Sequence, residues 1–192
     1  MSSSTRLIDV RVGSATDGRL PISMVERSLS AGPFHWLALL AVVFAAILAD
    51  QITKGIVASQ LELGDSVHVI GPLSIRHVHN PGIAFGLFSS WATAVTILTA
   101  CAIAWMVFYF ARSGARHPVL PVALGLLIGG SLANLIDRIR LGHVTDFLDL
   151  RFWPAFNLAD TFIVFGVGIL LVALVSAERQ PRVRRTAPKT SG

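Results

Sequence analysis

Four long apolar runs decide what this chain can become. They are Phe34–Ala49, continuing through Asp50–Ala58, then Trp91–Phe110, Pro118–Ile136 and Leu158–Ser176. Each supplies about 20 helical residues, and at about 1.5 Å of rise per residue that length crosses the hydrocarbon core of a bilayer. The runs therefore predict an all-α membrane protein with four transmembrane helices. Composition points the same way: only 14% of the residues are charged, fewer than a soluble domain of this size normally carries. The first run starts too late and is too long for an ordinary cleavable signal peptide, so it is read as a retained helix.

The basic residues set an expected orientation. Arg6, Arg11, Arg19 and Arg27 precede the first run, Arg112 and Arg116 lie between the second and third, and Arg179, Arg182, Arg184, Arg185 and Lys189 follow the fourth. The other two connections share Arg76, Arg138, Arg140 and Arg151. By the positive-inside rule both termini are expected in the cytoplasm, with segments 55–90 and 137–157 outside. The expected organisation is a disordered cytoplasmic extension over 1–33, a membrane domain over 34–176 with an outer loop over 57–90, and a basic cytoplasmic tail over 177–192.

The net charge of +5 lies mostly in the two ends. That distribution suits a membrane surface, and no nucleic-acid-binding signature accompanies it. The single cysteine, Cys101, sits in an apolar run and is read as inert. In the outer loop, Val67–Ile70 and Leu73–Val78 alternate around Gly71-Pro72, predicting a small hairpin on the membrane surface. His77 and His79 alternate along it and are read as exposed loop residues rather than metal ligands. Trp91, Trp105, Tyr109 and Trp153 fall near predicted span ends, as an interfacial belt would.

With the four helices alternating in direction, the polar residues in and beside the spans land at one membrane face. Asp50 and Lys54 lie near the end of the first helix, Asn80 in the outer loop, and Asn134, Asp137 and Arg138 at the end of the third. Asp146 follows, and Asn157 and Asp160 open the fourth helix. Ionisable groups at that depth are costly and usually face each other or a polar cavity. Asp50 and Lys54, at i and i+4, read as an architectural ion pair. Asp137 is expected to be neutralised by its neighbour Arg138, and Asn157 to cap the helix that holds Asp160. Asp149 reads as a solvated loop charge. Asp146 and Asp160 have no basic immediate neighbour. Brought together they would share a proton, which suits hydrolysis. A proton-coupled transporter, a polar-lined channel or a structurally ion-paired bundle would carry the same carboxylates, and the residues alone leave these open.

Read in order, four segments resemble the lipoprotein signal peptidase (signal peptidase II) family: Asp50-Gln51-Ile52-Thr53-Lys54; Asn80-Pro81-Gly82-Ile83-Ala84-Phe85-Gly86; Gly129 to Arg138 followed by Gly142-His143-Val144-Thr145-Asp146-Phe147; and Phe156-Asn157-Leu158-Ala159-Asp160. The likeness covers about 34–176 and leaves both tails outside. It implies an aspartic endopeptidase of the bacterial inner membrane that cuts prolipoproteins just before a cysteine already carrying diacylglycerol. It makes Asp146 and Asp160 the catalytic dyad. Asn80, Gly82, Asn134, Arg138 and Asn157 organise the site or bind substrate, and Asp50, Lys54 and Asp137 support it. It implies no metal, nucleotide or other cofactor. The expected partners are the lipidated substrate and membrane lipids, not nucleic acid, and the expected working unit is a monomer. Gly82, Gly86, Gly129 and Gly130 would permit close packing or backbone approach, and Phe85 and Phe88 would touch lipid or anchor the loop. A transporter or an inactive homologue is the alternative.

Overall fold

The computed structural model describes residues 31–81, 92–113 and 118–178. In chain order the elements are helix α1 (Pro33–Gln60), strands β1 (Ser66–Ile70) and β2 (Leu73–Asn80), helices α2 (Ala92–Ser113) and α3 (Leu120–Leu141), strands β3 (Val144–Leu150) and β4 (Trp153–Phe156), and helix α4 (Leu158–Glu178). All four helices are long and apolar enough to cross a membrane, as the four runs predicted.

Helix α3 is the centre of the bundle. Within its most apolar stretch 72% of the residues are buried, against 22% in α1 and 11% in α2 and α4. The reason lies in its glycines. Lipid tails are as apolar as leucine, so helices in a bilayer associate through close packing rather than through exclusion of water. A β-carbon on Gly125 would lie 2.7 Å from Cβ of Val42, and one on Gly129 would lie 2.8 Å from Cβ of Ala46, so both glycines admit α1 at backbone range. Gly130, one position round the helix, faces the carbonyl of Ala159 and thereby admits the first turn of α4. Leu39, Val43, Phe110, Leu120, Leu124, Leu127 and Ile128 fill the remaining space, and the Trp36 and Phe110 rings meet edge to face at 5.0 Å. Phe34, Leu37, Phe44, Ile52 and Ile56 on α1, Ile97, Leu98 and Trp105 on α2, and Val164, Phe165 and Val172 on α4 are exposed. That is an outward face fit for hydrocarbon. Cys101 lies on the exposed surface of α2.

A four-stranded antiparallel sheet in the order β1-β2-β3-β4 joins the helix ends. The hairpin expected around Gly71-Pro72 is β1–β2, and Gly71 turns it with φ 54°. The second half of the sheet was not anticipated, since 137–157 read as a connection. Gly142 makes it possible: with φ 78° it ends α3, its N–H reaches the carbonyl of Arg138 at 3.1 Å, and the chain enters β3 two residues later. The β2–β3 register then sets Val78 opposite Asp146 and Asn80 opposite Val144.

Two expectations for this region are corrected. His77 is buried rather than exposed, with Nδ1 3.0 Å from the carbonyl oxygen of Leu61. Asp149 is a half-buried strand residue facing Arg76 at 3.8 Å, not a free loop charge. His79 is exposed, and its ring stacks on His143 at 3.7 Å. Partial desolvation under the stacked ring and the neighbouring imidazoles of His143 and His77 hold its pKa below the usual histidine value.

Candidate active site

Where α1, α3, α4 and the sheet converge, four aspartates divide into two groups. The first is built around Lys54. Its Nζ lies 2.7 Å from Asp50 Oδ2, one turn earlier on α1, and 2.8 Å from Asp137 Oδ2 on α3. It also donates to Asn134 Oδ1 at 3.0 Å. An ammonium has three protons, and these three acceptors match them. The carboxylates are held further. Asp50 Oδ1 accepts the backbone N–H of Ala159 at 2.9 Å, while Asp137 accepts Gln51 Nε2 at 2.8 Å and the backbone N–H of Thr145 at 3.3 Å. Asp50 is fully buried, Lys54 is 5% exposed and Asp137 is 4% exposed, so each charge depends on this pairing.

The expected pairing of Asp137 with Arg138 is therefore corrected: the cation at Asp137 is Lys54. Adjacent residues on a helix point about 100° apart, whereas Lys54 arrives from the neighbouring helix. Gln51, standing in the motif but assigned no role, is the residue that sequence reasoning missed. An amide in the middle of an apolar run was the available signal.

The second group is Asp146 on β3 and Asp160 on α4, and side-chain amides serve it. Asn80 Nδ2 donates to Asp146 Oδ2 at 2.9 Å, and Asn157 Nδ2 to Asp146 Oδ1 at 2.7 Å. Asn134 Nδ2 donates to Asp160 Oδ1 at 2.8 Å. Asn157 and Asp160 cap α4 reciprocally: the Asp160 N–H donates to Asn157 Oδ1 at 3.0 Å, and the Asn157 N–H to Asp160 Oδ2 at 3.3 Å. Each of the four carboxylate oxygens thus accepts one N–H. Asn134 Oδ1 also accepts Asn157 Nδ2 at 3.1 Å, which ties this group to Lys54 through one side chain.

Both aspartates line one cavity of about 290 Å³, together with Asn80, Asn134, Arg138 and Val144. Trp153, Pro154, Ala155 and Phe156 form another wall, with Ile163 and Val164 below. These wall residues precede Asn157 in the chain and went unassigned in the sequence, where they read as an interfacial tryptophan and a connection. Arg138 faces the two aspartates here, although neither has it as a sequence neighbour. Burial pushes the Asp146 carboxyl up to about 6. The hydrogen bonds from Asn80 and Asn157 and the Lys54 charge pull it down, and the Asp160 charge pushes it further up.

Of the residues expected in the site, Asp146, Asp160, Asn80, Asn134 and Arg138 meet at this cavity, Asn157 is buried behind it and holds Asp146, and Asp50, Lys54 and Asp137 form the ion cluster beside it. Gly82, Gly86, Phe85 and Phe88 lie outside the described residues. Among the described residues no group of three or more His, Cys, Asp or Glu is placed to hold a metal ion.

Comparison with known proteins converges on one family. The family model described as signal peptidase (SPase) II matches residues 42–176. A lipoprotein signal peptidase of Symbiobacterium thermophilum is 41% identical over 150 residues, covering 74% of this chain and 98% of the relative. That of Moorella thermoacetica is 44% identical over 142 residues, covering 72% and 89%, and that of Acinetobacter baumannii 37% over 176 residues, covering 84% and 96%. Two solved bacterial membrane enzymes share the fold. One has a TM-score of 0.72 at 30% identity, covering 78% of this chain and 94% of the other. The second has 0.66 at 34% identity, covering 71% and 92%. With four spans, a motif set running their length and this depth of likeness, the chain belongs to the signal peptidase II family of membrane peptidases.

Proposed function

We propose that this peptidase removes the signal peptide from diacylglyceryl-prolipoproteins by cutting just before the lipidated cysteine, with Asp146 and Asp160 as its catalytic pair. The observation that carries the assignment is the division of the carboxylates. Asp50 and Asp137 share the Lys54 ammonium, while Asp146 and Asp160 line an accessible cavity and receive amide N–H donors. In the working pair one carboxylate takes a proton from a water as it attacks the scissile carbonyl. The protonated partner polarises that carbonyl and then delivers its proton to the leaving amine. The raised pKa of Asp146, about 6, supports it as a holder of the shared proton.

Asn80, Asn134 and Asn157 orient the pair, and Arg138 supplies positive charge beside the carbonyl oxygen as it becomes anionic. Asp50, Lys54, Asp137 and Gln51 fix the helices that carry these groups. The enzyme sits in the bacterial inner membrane with both termini cytoplasmic and the dyad near the outer face, where a signal helix and a lipid arrive laterally from the bilayer. The reading is tested by incubating purified wild type, Asp146→Asn and Asp160→Asn with a diacylglyceryl-prolipoprotein in detergent. Cleavage by wild type alone, with all three equally folded, is the expected result. Wild-type rates from either variant remove that residue from the mechanism.

A further inference from the structure

A second concavity adjoins the cavity that the dyad lines. Val164 at the base of the dyad cavity also lines this concavity of about 560 Å³, which runs along α4 past Phe165, Gly168, Ile169, Val172 and Ala173 to Ser176, with Val119 from the start of α3 on its far side. From Val164 to Ser176 is about 18 Å of helix. Its residues recur at intervals of three and four, so they form one face of α4. Phe165 and Val172 stand up from that face, 63% and 68% exposed. Between them a β-carbon on Gly168 would meet nothing within 4 Å, so the floor of the furrow is backbone. No other described element covers it. By contrast Gly166, two positions away, faces α3, so the furrow is not part of the bundle's own packing.

We propose that this furrow is the docking lane for the hydrophobic signal helix of the substrate; the inference rests on the dyad reading above. Three features select that occupant. The lane shares a wall residue with the cavity in which the bond is cut, and a signal helix immediately precedes that bond. The lane lies along a membrane-spanning helix and opens laterally, the only route by which a spanning substrate can enter. Its relief is that of a helix contact, with a glycine floor between large rims, and relief of this kind governs association where hydrophobic exclusion is absent.

The test fills the floor. Gly168→Leu and, as a control on the exposed face of α2, Cys101→Leu are compared with wild type on two substrates. One is the full diacylglyceryl-prolipoprotein, and the other a short diacylglyceryl peptide spanning the cleavage site but lacking the signal helix. Gly168→Leu lowers kcat/KM for the full substrate about tenfold relative to the short peptide, mainly through KM, and Cys101→Leu leaves that ratio unchanged. An equal loss on both substrates places an acyl chain in the furrow, or general damage there, and overturns the proposal. Unchanged kinetics on both overturn it as well. If Gly168→Leu fails to fold, a photocrosslinker at Val172 in the Asp160→Asn enzyme serves instead: it captures the signal helix of the uncleaved substrate, and capture equal to that from position 101 overturns the lane. Cleavage of the short peptide by Asp146→Asn or Asp160→Asn at the wild-type rate defeats the dyad reading separately.

Discussion

Two pairs of aspartates, all buried except the half-buried Asp160, lie side by side in this protein and are kept in different ways. Asp50 and Asp137 are held by a cation: Lys54 spends its three protons on them and on Asn134. Asp146 and Asp160 are held by amides, with Arg138 on the wall of the cavity they line. A fully paired ion cluster has its charges already matched, which is why the proposed function reads it as architecture. The two aspartates held by neutral donors both line the cavity. Burial alone therefore does not separate the proposed catalytic pair from the proposed scaffold, since Asp50 is buried at least as deeply as Asp146. The kind of partner does.

The contrast is sharpened first by activity. Asp146→Asn and Asp160→Asn each lower cleavage at least about thousandfold, read as turnover of a lipidated substrate. Fold should survive, and for Asp146 the sign can be worked out. Its folded pKa, about 6, lies above the ordinary carboxylate value of 3.8. The folded state therefore binds more protons than the unfolded state between those values, and stability falls as pH rises through that window. Asp146→Asn removes that loss, so at pH 8 its melting temperature equals or exceeds that of wild type. A marked drop would place Asp146 with the architectural pair.

Lys54→Met should behave in the opposite way. It strands two carboxylates in a buried setting and costs about 3–5 kcal/mol, seen as a large fall in melting temperature, with activity lost through misfolding. Tolerance of this change would dissolve the contrast. Gly130→Leu, which drives a side chain into the carbonyl of Ala159, displaces the first turn of α4 and hence Asp160. It is expected to cost about 1–3 kcal/mol in a melt. A finer test is Asn80→Ala. The Asn80 hydrogen bond favours the charged form of Asp146, so its removal raises the carboxyl further. If Asp146 holds the shared proton, wild-type kcat/KM is expected to fall as pH rises past about 6, and in Asn80→Ala that descending limb is expected at higher pH. The smallest effect belongs to Asp149→Asn, which removes only the half-exposed Arg76 pair. A stability change below about 1 kcal/mol and unaltered cleavage are expected.

The helices were legible because membrane spans are local: twenty apolar residues state their own length and fate. The β1–β2 hairpin was legible for a similar reason, with alternation on both sides of a Gly-Pro turn. Asp146 and Asp160 stand out in the sequence because they are costly residues in a costly place, and the family likeness suggests the catalytic role proposed for them. The partner of Asp137 was not legible. Lys54 is far away in sequence and meets it only because Gly125 and Gly129 bring α1 against α3. Arg138, its immediate neighbour, looked the better partner and points elsewhere. Strands β3 and β4 were missed because the strand character of Val144–Leu150 is expressed through pairing with β2, a contact that no local pattern encodes.

The one-donor-per-oxygen arrangement around Asp146 and Asp160 has a kinetic meaning. An sp2 carboxylate oxygen has two lone pairs, and in each of the four one is already fixed by an N–H. In the proposed mechanism the other takes a proton, a water or a substrate carbonyl. On that proposal protons move between the two carboxylates and the reacting atoms without any donor having to rotate away and return. In a solvent of free dipoles each such transfer would drag a shell of water with it. Here the dipoles are anchored to a helix end, a strand and a neighbouring helix before the substrate arrives, so little reorganisation remains to slow the step.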